Sequence, residues 1–120
     1  MEIMLKRAYE PMSDNDGYRI LVDRLWPRGL SKERAHVAWW AKELTPSPAL
    51  RTWYHHNPDK WADFQQAYRQ ELQNHPTALT AFENHVKGHP KVTLIYAAKD
   101  TTHTHALILK DFLDHAFNQD

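Results

Sequence analysis

The chain has 120 residues, 42% of them hydrophobic and 25% charged, with 15 Lys plus Arg against 15 Asp plus Glu. That is the make-up of one globular domain with a core of ordinary size, spanning residues 1–120. Its zero net charge excludes a general pull on DNA or an anionic membrane, so any attraction for anions has to be local. The opening "MEIMLKRAYE" lacks the apolar centre of a signal peptide, there is no Cys, and no apolar run approaches the roughly 20 residues of a membrane span. The expected setting is the cytoplasm.

In chain order, "IMLKRAY" (3–9) predicts a short strand and "YRILVDRLW" (18–26) a second, in which Ile20, Leu21 and Val22 form the unbroken apolar stretch of a strand covered on both faces. Pro27 and Gly29 end it. In "AHVAWWAKEL" (35–44) the large apolar residues alternate more than they recur at helical spacing, which favours a third strand. "SPALRTWY" (47–54) predicts a short helix with Ser47 as cap and Pro48 at its first position, where the missing N–H costs nothing. Asn57 and Pro58 repeat that pattern at the head of a helix whose inner face is Trp61, Phe64, Tyr68 and Leu72. Leu79, Phe82 and Val86 continue it in a further helix after Pro76, stopped by Gly88 and Pro90. "KVTLIYA" (91–97) is the clearest buried strand, and the last helix turns Leu109, Phe112, Leu113, Ala116 and Phe117 inward.

Strands separated by helices predict an α/β fold, a small and mostly parallel sheet with helices packed on its faces. Ligands of such sheets collect outside the carboxyl ends of the strands. Two ends carry polar chemistry here, "DRLWPRG" after the second strand and "AAKDTTHTH" after the last.

With a side-chain period of two, Asp23 and Arg24 face opposite ways and cannot pair with each other. Each needs another charged residue or a ligand, because an unpaired buried charge is costly. Arg24 and Arg28 flank Trp26, offering two guanidinium forks and a ring face suited to a phosphate or carboxylate and a stacked base. The plain alternative is an ion-pair network around a core Trp. At the other end, Lys99 adds charge, Asp100 is a candidate general base or a partner that positions Lys99, and the free amides before the last helix form an anion seat. Ser47 and Arg51 lie one turn apart, with Lys42 just before them. No G-x-S-x-G surrounds Ser47, so it reads as a cap and ligand contact rather than a nucleophile.

The nine His residues bring little metal chemistry, since "HH" at 55–56 and "HTH" at 103–105 lack a Cys or a regular carboxylate spacing. No metal is expected. Neither a Walker A loop nor G-x-G-x-x-G occurs, and three Gly leave little material for a glycine-rich cofactor loop, so no cofactor is expected either.

Three blocks, "DGYRILVDRLWPRGLSKE", "WWAKELTPSPALRTWYHHNPDKWADFQQAYRQEL" and "VTLIYAAKDTTHTHALIL", resemble in order the main blocks of the YeaO-like family of small bacterial proteins, over nearly the whole chain. The resemblance implies an α/β architecture and a bacterial, cytoplasmic setting, and it implies no particular reaction. The family pattern falls on Asp23, Arg24, Trp26, Pro27, Arg28 and Gly29, on Lys42, Pro46, Ser47, Leu50 and Arg51, and on Lys99 and Ala106. Where that pattern commonly has Asn, this chain has Thr104, with a shorter reach.

These readings meet in one expectation, an anion site made by Arg24, Arg28, Lys42, Arg51 and Lys99 and lined by Trp26 and Ser47, for a phosphorylated or nucleotide-like molecule. Asp23 or Asp100 would be the acid/base of any catalysis. Arg24, Arg28 and Lys99 are expected to converge on one concavity. The alternatives are a nucleic-acid-binding module on the same Arg/Trp surface and a non-catalytic scaffold that binds a protein partner.

Overall fold

The computed structural model describes residues 1–118, and its sheet grows outward from the most apolar strand. In β4 (Lys91–Tyr96) Val92 to Tyr96 are all buried, which requires neighbours on both edges and cover on both faces. β1 (Glu2–Arg7) lies along one edge, from Glu2 beside Lys91 to Arg7 beside Tyr96. β2 (Tyr18–Leu21) lies along the other, from Tyr18 beside Val92 to Leu21 beside Ile95, and β3 (Trp39–Trp40) extends the sheet beyond β2. The order is β1-β4-β2-β3 and every pair is parallel, so the carboxyl ends share one edge.

Side-chain alternation divides the core in two. Ile3, Ile20, Val22, Val92, Leu94 and Tyr96 pack with α3 (Trp61–Gln73), α4 (Pro76–Val86) and α5 (His105–Phe117), whose Phe64, Tyr68, Leu72, Phe82, Leu109 and Leu113 fill the layer between. Leu21 and Ile95 belong to the opposite face, closed by Ala8, Leu30, Trp26 and Trp40 and by Ala35 of α1 (Lys32–Ala35). Among the described residues, no helix is long and apolar enough to cross a membrane.

Four sequence expectations change in detail. The second strand stops at Leu21 rather than Trp26: Val22 still donates to the Ile95 carbonyl at 3.0 Å, and then the chain peels away from the sheet. The third strand shrinks to two residues, since Lys32–Ala35 is helical, His36 is left-handed with φ 50°, and Lys42–Leu44 is a 3-10 turn. Asn57 closes a helix instead of opening one. It caps the end of α2 (Pro48–His56), its side-chain amide donating to the Trp53 carbonyl at 2.9 Å, and α3 begins only at Trp61. On α5, Ala116 is exposed, although Leu109 and Leu113 face inward as expected.

The short link from β1 to β2 is held by a buried ionic knot. Asp16, 6% exposed, accepts from Lys6 Nζ at 3.1 Å, from the Ser13 amide at 3.0 Å and from Arg19 Nη1 at 2.5 Å, while Arg19, 3% exposed, also donates to the Ala35 carbonyl. Burial opposes the Asp16 charge, but the Ser13 amide, the Lys6 ammonium and the Arg19 guanidinium outweigh it and hold the carboxyl below its ordinary range. Next in sequence, Gly17 has φ 66° and passes so close to β4 that a Cβ there would lie 2.3 Å from the Lys91 carbonyl oxygen.

Asp16→Asn leaves the buried Arg19 charge uncompensated, and urea unfolding at neutral pH is expected to show a loss of about 3–5 kcal/mol. Because the folded-state pKa is depressed, the stability Asp16 contributes is present above about pH 3.9 and is lost as pH falls through the lower folded value. The gap between wild type and variant therefore closes in acid. A variant within about 1 kcal/mol of wild type at pH 7 would contradict a stabilising knot.

Candidate functional site

Where β2 leaves the sheet, three elements seize it. His105, in the first turn of α5, donates from Nε2 to the Val22 carbonyl at 2.6 Å; Asp23 Oδ2 accepts the Ala97 amide at 2.9 Å; and the Asp23 carbonyl accepts the Trp40 indole N–H at 2.7 Å. Asp23 Oδ1 lies 3.5 Å from His105 Nε2, and both side chains are largely buried. A carbonyl can only accept, so Nε2 carries the proton and the neutral imidazole presents Nδ1 as an acceptor. Burial pushes the His105 pKa down, helped by the Arg51 charge and opposed by the Val22 carbonyl and the Asp23 carboxylate. Burial likewise raises the Asp23 pKa, against the pull of His105, the Ala97 amide and Arg51.

Arg24 follows in the bend beyond the strand, where it lines the same cleft as Asp23 instead of facing away from it. Its Nη2 reaches the Pro46 carbonyl at 3.3 Å, and its buried Nε has no partner. Arg51 projects from the first turns of α2, a helix anchored by Ser47, whose Oγ accepts the Leu50 amide at 3.1 Å. The Glu71 carboxylate clamps that helix start, accepting Ser47 N–H at 2.9 Å and Ser47 Oγ–H at 2.6 Å. Among the described residues neither Arg24 nor Arg51 forms an ion pair. Together with Asp23, Pro46, Ala98 and His105 they line a cleft of about 220 Å³. Pro46, Arg51, Ala98 and His105 also border an adjoining hollow of about 410 Å³ that continues past Tyr54, Phe64, His55 and His103. The two form one groove at the carboxyl ends of β2 and β4.

Of the residues singled out from sequence, Asp23, Arg24 and Arg51 meet in this groove. Lys42 and Ser47 line a separate hollow of about 480 Å³ on the far side of Arg24; Lys42 Nζ sits 3.9 Å from the Trp40 ring centroid, and the Ser47 hydroxyl is spent on Glu71. Trp26 lies outside the groove, edge-on to Trp40 and donating to the Leu30 carbonyl at 2.6 Å in the opposite core layer. Arg28 and Lys99 are exposed and border neither part of the groove, so the expected convergence of Arg24, Arg28 and Lys99 is replaced by one of Arg24 and Arg51. The strands are neighbours as reasoned, but the loops after them carry Arg28 and Lys99 away from the cleft.

Asp100 is exposed and closes a turn, its Oδ1 accepting from the amides of Thr102 (2.9 Å) and His103 (3.0 Å) and from the Thr102 hydroxyl (2.8 Å). Those bonds, the Thr102 amide first, hold its pKa below the ordinary carboxylate value. Two of the amides expected to seat an anion are thereby occupied by an internal carboxylate. Thr104 is the buried N-cap of α5, its hydroxyl turned to the Ala106 amide at 3.4 Å. His105 was missed as a site residue because "HTH" was weighed for metal ligation; the signal for it was its place one residue past a capping Thr, in the loop that leaves the last strand. Among the described residues no three His, Asp or Glu come together in a way that could hold a metal ion.

The opposed influences on His105 are separable by NMR titration of its imidazole. The midpoint is expected below about 6.5, lower still in Asp23→Asn and higher in Arg51→Ala. Since the folded value is depressed, the contribution of His105 to stability is present above about pH 6.5 and lost as pH falls through the folded midpoint. Movement of the midpoint in the same direction in both variants would refute this electrostatic arrangement.

Comparison with known proteins adds an ancestry to this geometry. No solved structure matches the chain. The chain is 45% identical over 113 residues to the uncharacterised protein YeaO of Escherichia coli strain K12, covering 94% of this chain and 97% of that one. It is 37% identical over 112 residues to the uncharacterised protein Rv3073c of Mycobacterium tuberculosis strain H37Rv, covering 93% of each. Residues 2–120 match the family model DUF488-N3i, described as the inactive DUF488-N3 subclade. The chain therefore belongs to the DUF488-N3i family, and YeaO is one of its relatives there.

Proposed function

We propose that this chain is a non-catalytic binding protein whose groove takes a phosphorylated, nucleotide-like small molecule, with the anion held between Arg24 and Arg51. One observation carries the reading: two guanidinium groups, neither in an ion pair among the described residues, border one cleft. Guanidinium forks match phosphate oxygens, so a tetrahedral oxyanion in the cleft would give both groups the partner they lack within the chain. The helix starts nearby and Lys42 are already satisfied from within, by Glu71 at α2, by Asp100 before α5 and by the Trp40 ring against Lys42, and Arg28 and Lys99 stand exposed outside the groove.

The absence of chemistry in this reading follows from how the dyad is used. The Nε2 proton of His105 is committed to the Val22 carbonyl and Asp23 to the Ala97 amide, so the pair braces two strand ends instead of relaying a proton. Ser47, the hydroxyl residue expected at the anion site, is bonded to Glu71 and borders neither half of the groove. The description of the family as an inactive subclade agrees. A nucleic-acid module would need cations along a track of several phosphates; the Arg and Lys residues bordering this groove are Arg24 and Arg51.

Thermal melts with inorganic phosphate, ribose 5-phosphate and nucleoside monophosphates test the reading. A ligand at a hundredfold excess over its Kd stabilises the fold by about 2.7 kcal/mol, and a rise in midpoint is expected with at least one organic phosphate. Arg51→Ala abolishes it, Arg28→Ala and Lys99→Ala leave it intact, and Asp23→Asn enlarges it by removing a negative charge from the cleft. No rise with any phosphate, or a rise lost in Arg28→Ala and kept in Arg51→Ala, would overturn the assignment.

A further inference from the structure

The groove has a second half, and its chemistry is different. We infer that it is the seat of a planar heteroaromatic ring, so that the ligand is a nucleoside monophosphate with its base between Tyr54 and His103 and its phosphate at Arg24 and Arg51; this rests on the phosphate reading of the cleft.

The spacing comes from α2. Tyr54 and His55 stand three and four residues beyond Arg51, and all three border the hollow, so one helix face offers a cation and then rings at roughly 5–6 Å along the groove. That interval is bridged by a sugar and by little else of small size. Ala98 lies between the two halves and borders both, contributing no bulk beyond a methyl group.

The rings are also held in place beforehand. Tyr54 stacks on the buried Phe64 with centroids 4.4 Å apart and planes 19° apart, and Phe64 is stacked in turn on Trp61 and Tyr68. His103 borders the same hollow; its backbone is fixed by Asp100, and the Trp61 ring meets its ring edge-on at 5.2 Å. A phosphate or a sugar phosphate uses none of this, whereas a base gains a stacking surface whose ordering has already been accomplished. His105, bordering both halves, adds Nδ1 as an acceptor.

Calorimetric titration with AMP, GMP, CMP and UMP, each set against ribose 5-phosphate, decides the matter. At least one nucleotide is expected to bind about 5- to 150-fold more tightly than ribose 5-phosphate, the worth of one base–aromatic stack. Tyr54→Leu and His103→Ala each cut that advantage and leave ribose 5-phosphate affinity unchanged. Because Tyr54 also packs on the core, the wild-type protein supplies an independent reading: the base shifts the ring-proton NMR signals of Tyr54 and His103 upfield, and ribose 5-phosphate does not. Equal affinity for all the nucleotides and ribose 5-phosphate would overturn the ring seat and leave the phosphate site standing. Failure of every phosphate to bind would overturn both.

Discussion

The hydrogen bonds that tie the end of β2 to the exit of β4, Ala97 N–H to the Asp23 carboxylate and His105 Nε2–H to the Val22 carbonyl, are the constraint on which the groove depends. Parallel pairing brings the two strand ends to one edge, but pairing alone does not hold the loops beyond them. Above β2 the chain runs on toward β3, while above β4 it turns into α5, which packs on β1, β4 and α3. Diverging connections open a crevice between neighbouring strands. The Asp23 and His105 contacts hold that crevice, and Arg24, in the bend just beyond, reaches the Pro46 carbonyl on its border.

Charge is distributed over this fold so that nearly every strong cation or free amide near the sheet ends meets an internal partner. Asp16 gathers Lys6 and Arg19 under the β1–β2 link, Glu71 fills the start of α2, and Asp100 fills the turn before α5. Arg24 and Arg51 form no ion pair among the described residues and border the same cleft, whereas Arg28 and Lys99, likewise unpaired, stand exposed outside it. An exposed arginine alone means nothing, because surface ion pairs contribute little and solvent satisfies them. Two guanidinium groups on one cleft are different, since like charges brought together favour an anion between them.

Much of this was legible in the sequence. The apolar run of β4, the Ser47-Pro48 start of α2 and the helical stripe of Phe64, Tyr68 and Leu72 all reflect local periodicity and capping, and the structure follows them. Asp23 and Arg24 stand out because charges next to a buried strand end demand partners, and Arg51 because it lies one turn past Ser47 near the start of a short helix. Long-range packing decided the remainder. Trp26 carries the same planar surface whether it faces a ligand or Trp40, and only the return of the Trp39–Trp40 strand beside β2 places it in the core layer. Asn57 satisfies the composition of either helix end, and its side-chain bond back to Trp53 decides which. His105 needed knowledge that Val22 and α5 meet, a contact spanning most of the chain.

The central claim concerns where a tetrahedral anion settles, and a crystal grown with selenate measures that directly through the anomalous signal of selenium. The account predicts a peak within hydrogen-bonding distance of the Arg24 and Arg51 guanidinium groups. A peak at Arg28 or Lys99, or an empty cleft between Arg24 and Arg51 at saturating selenate, would contradict it.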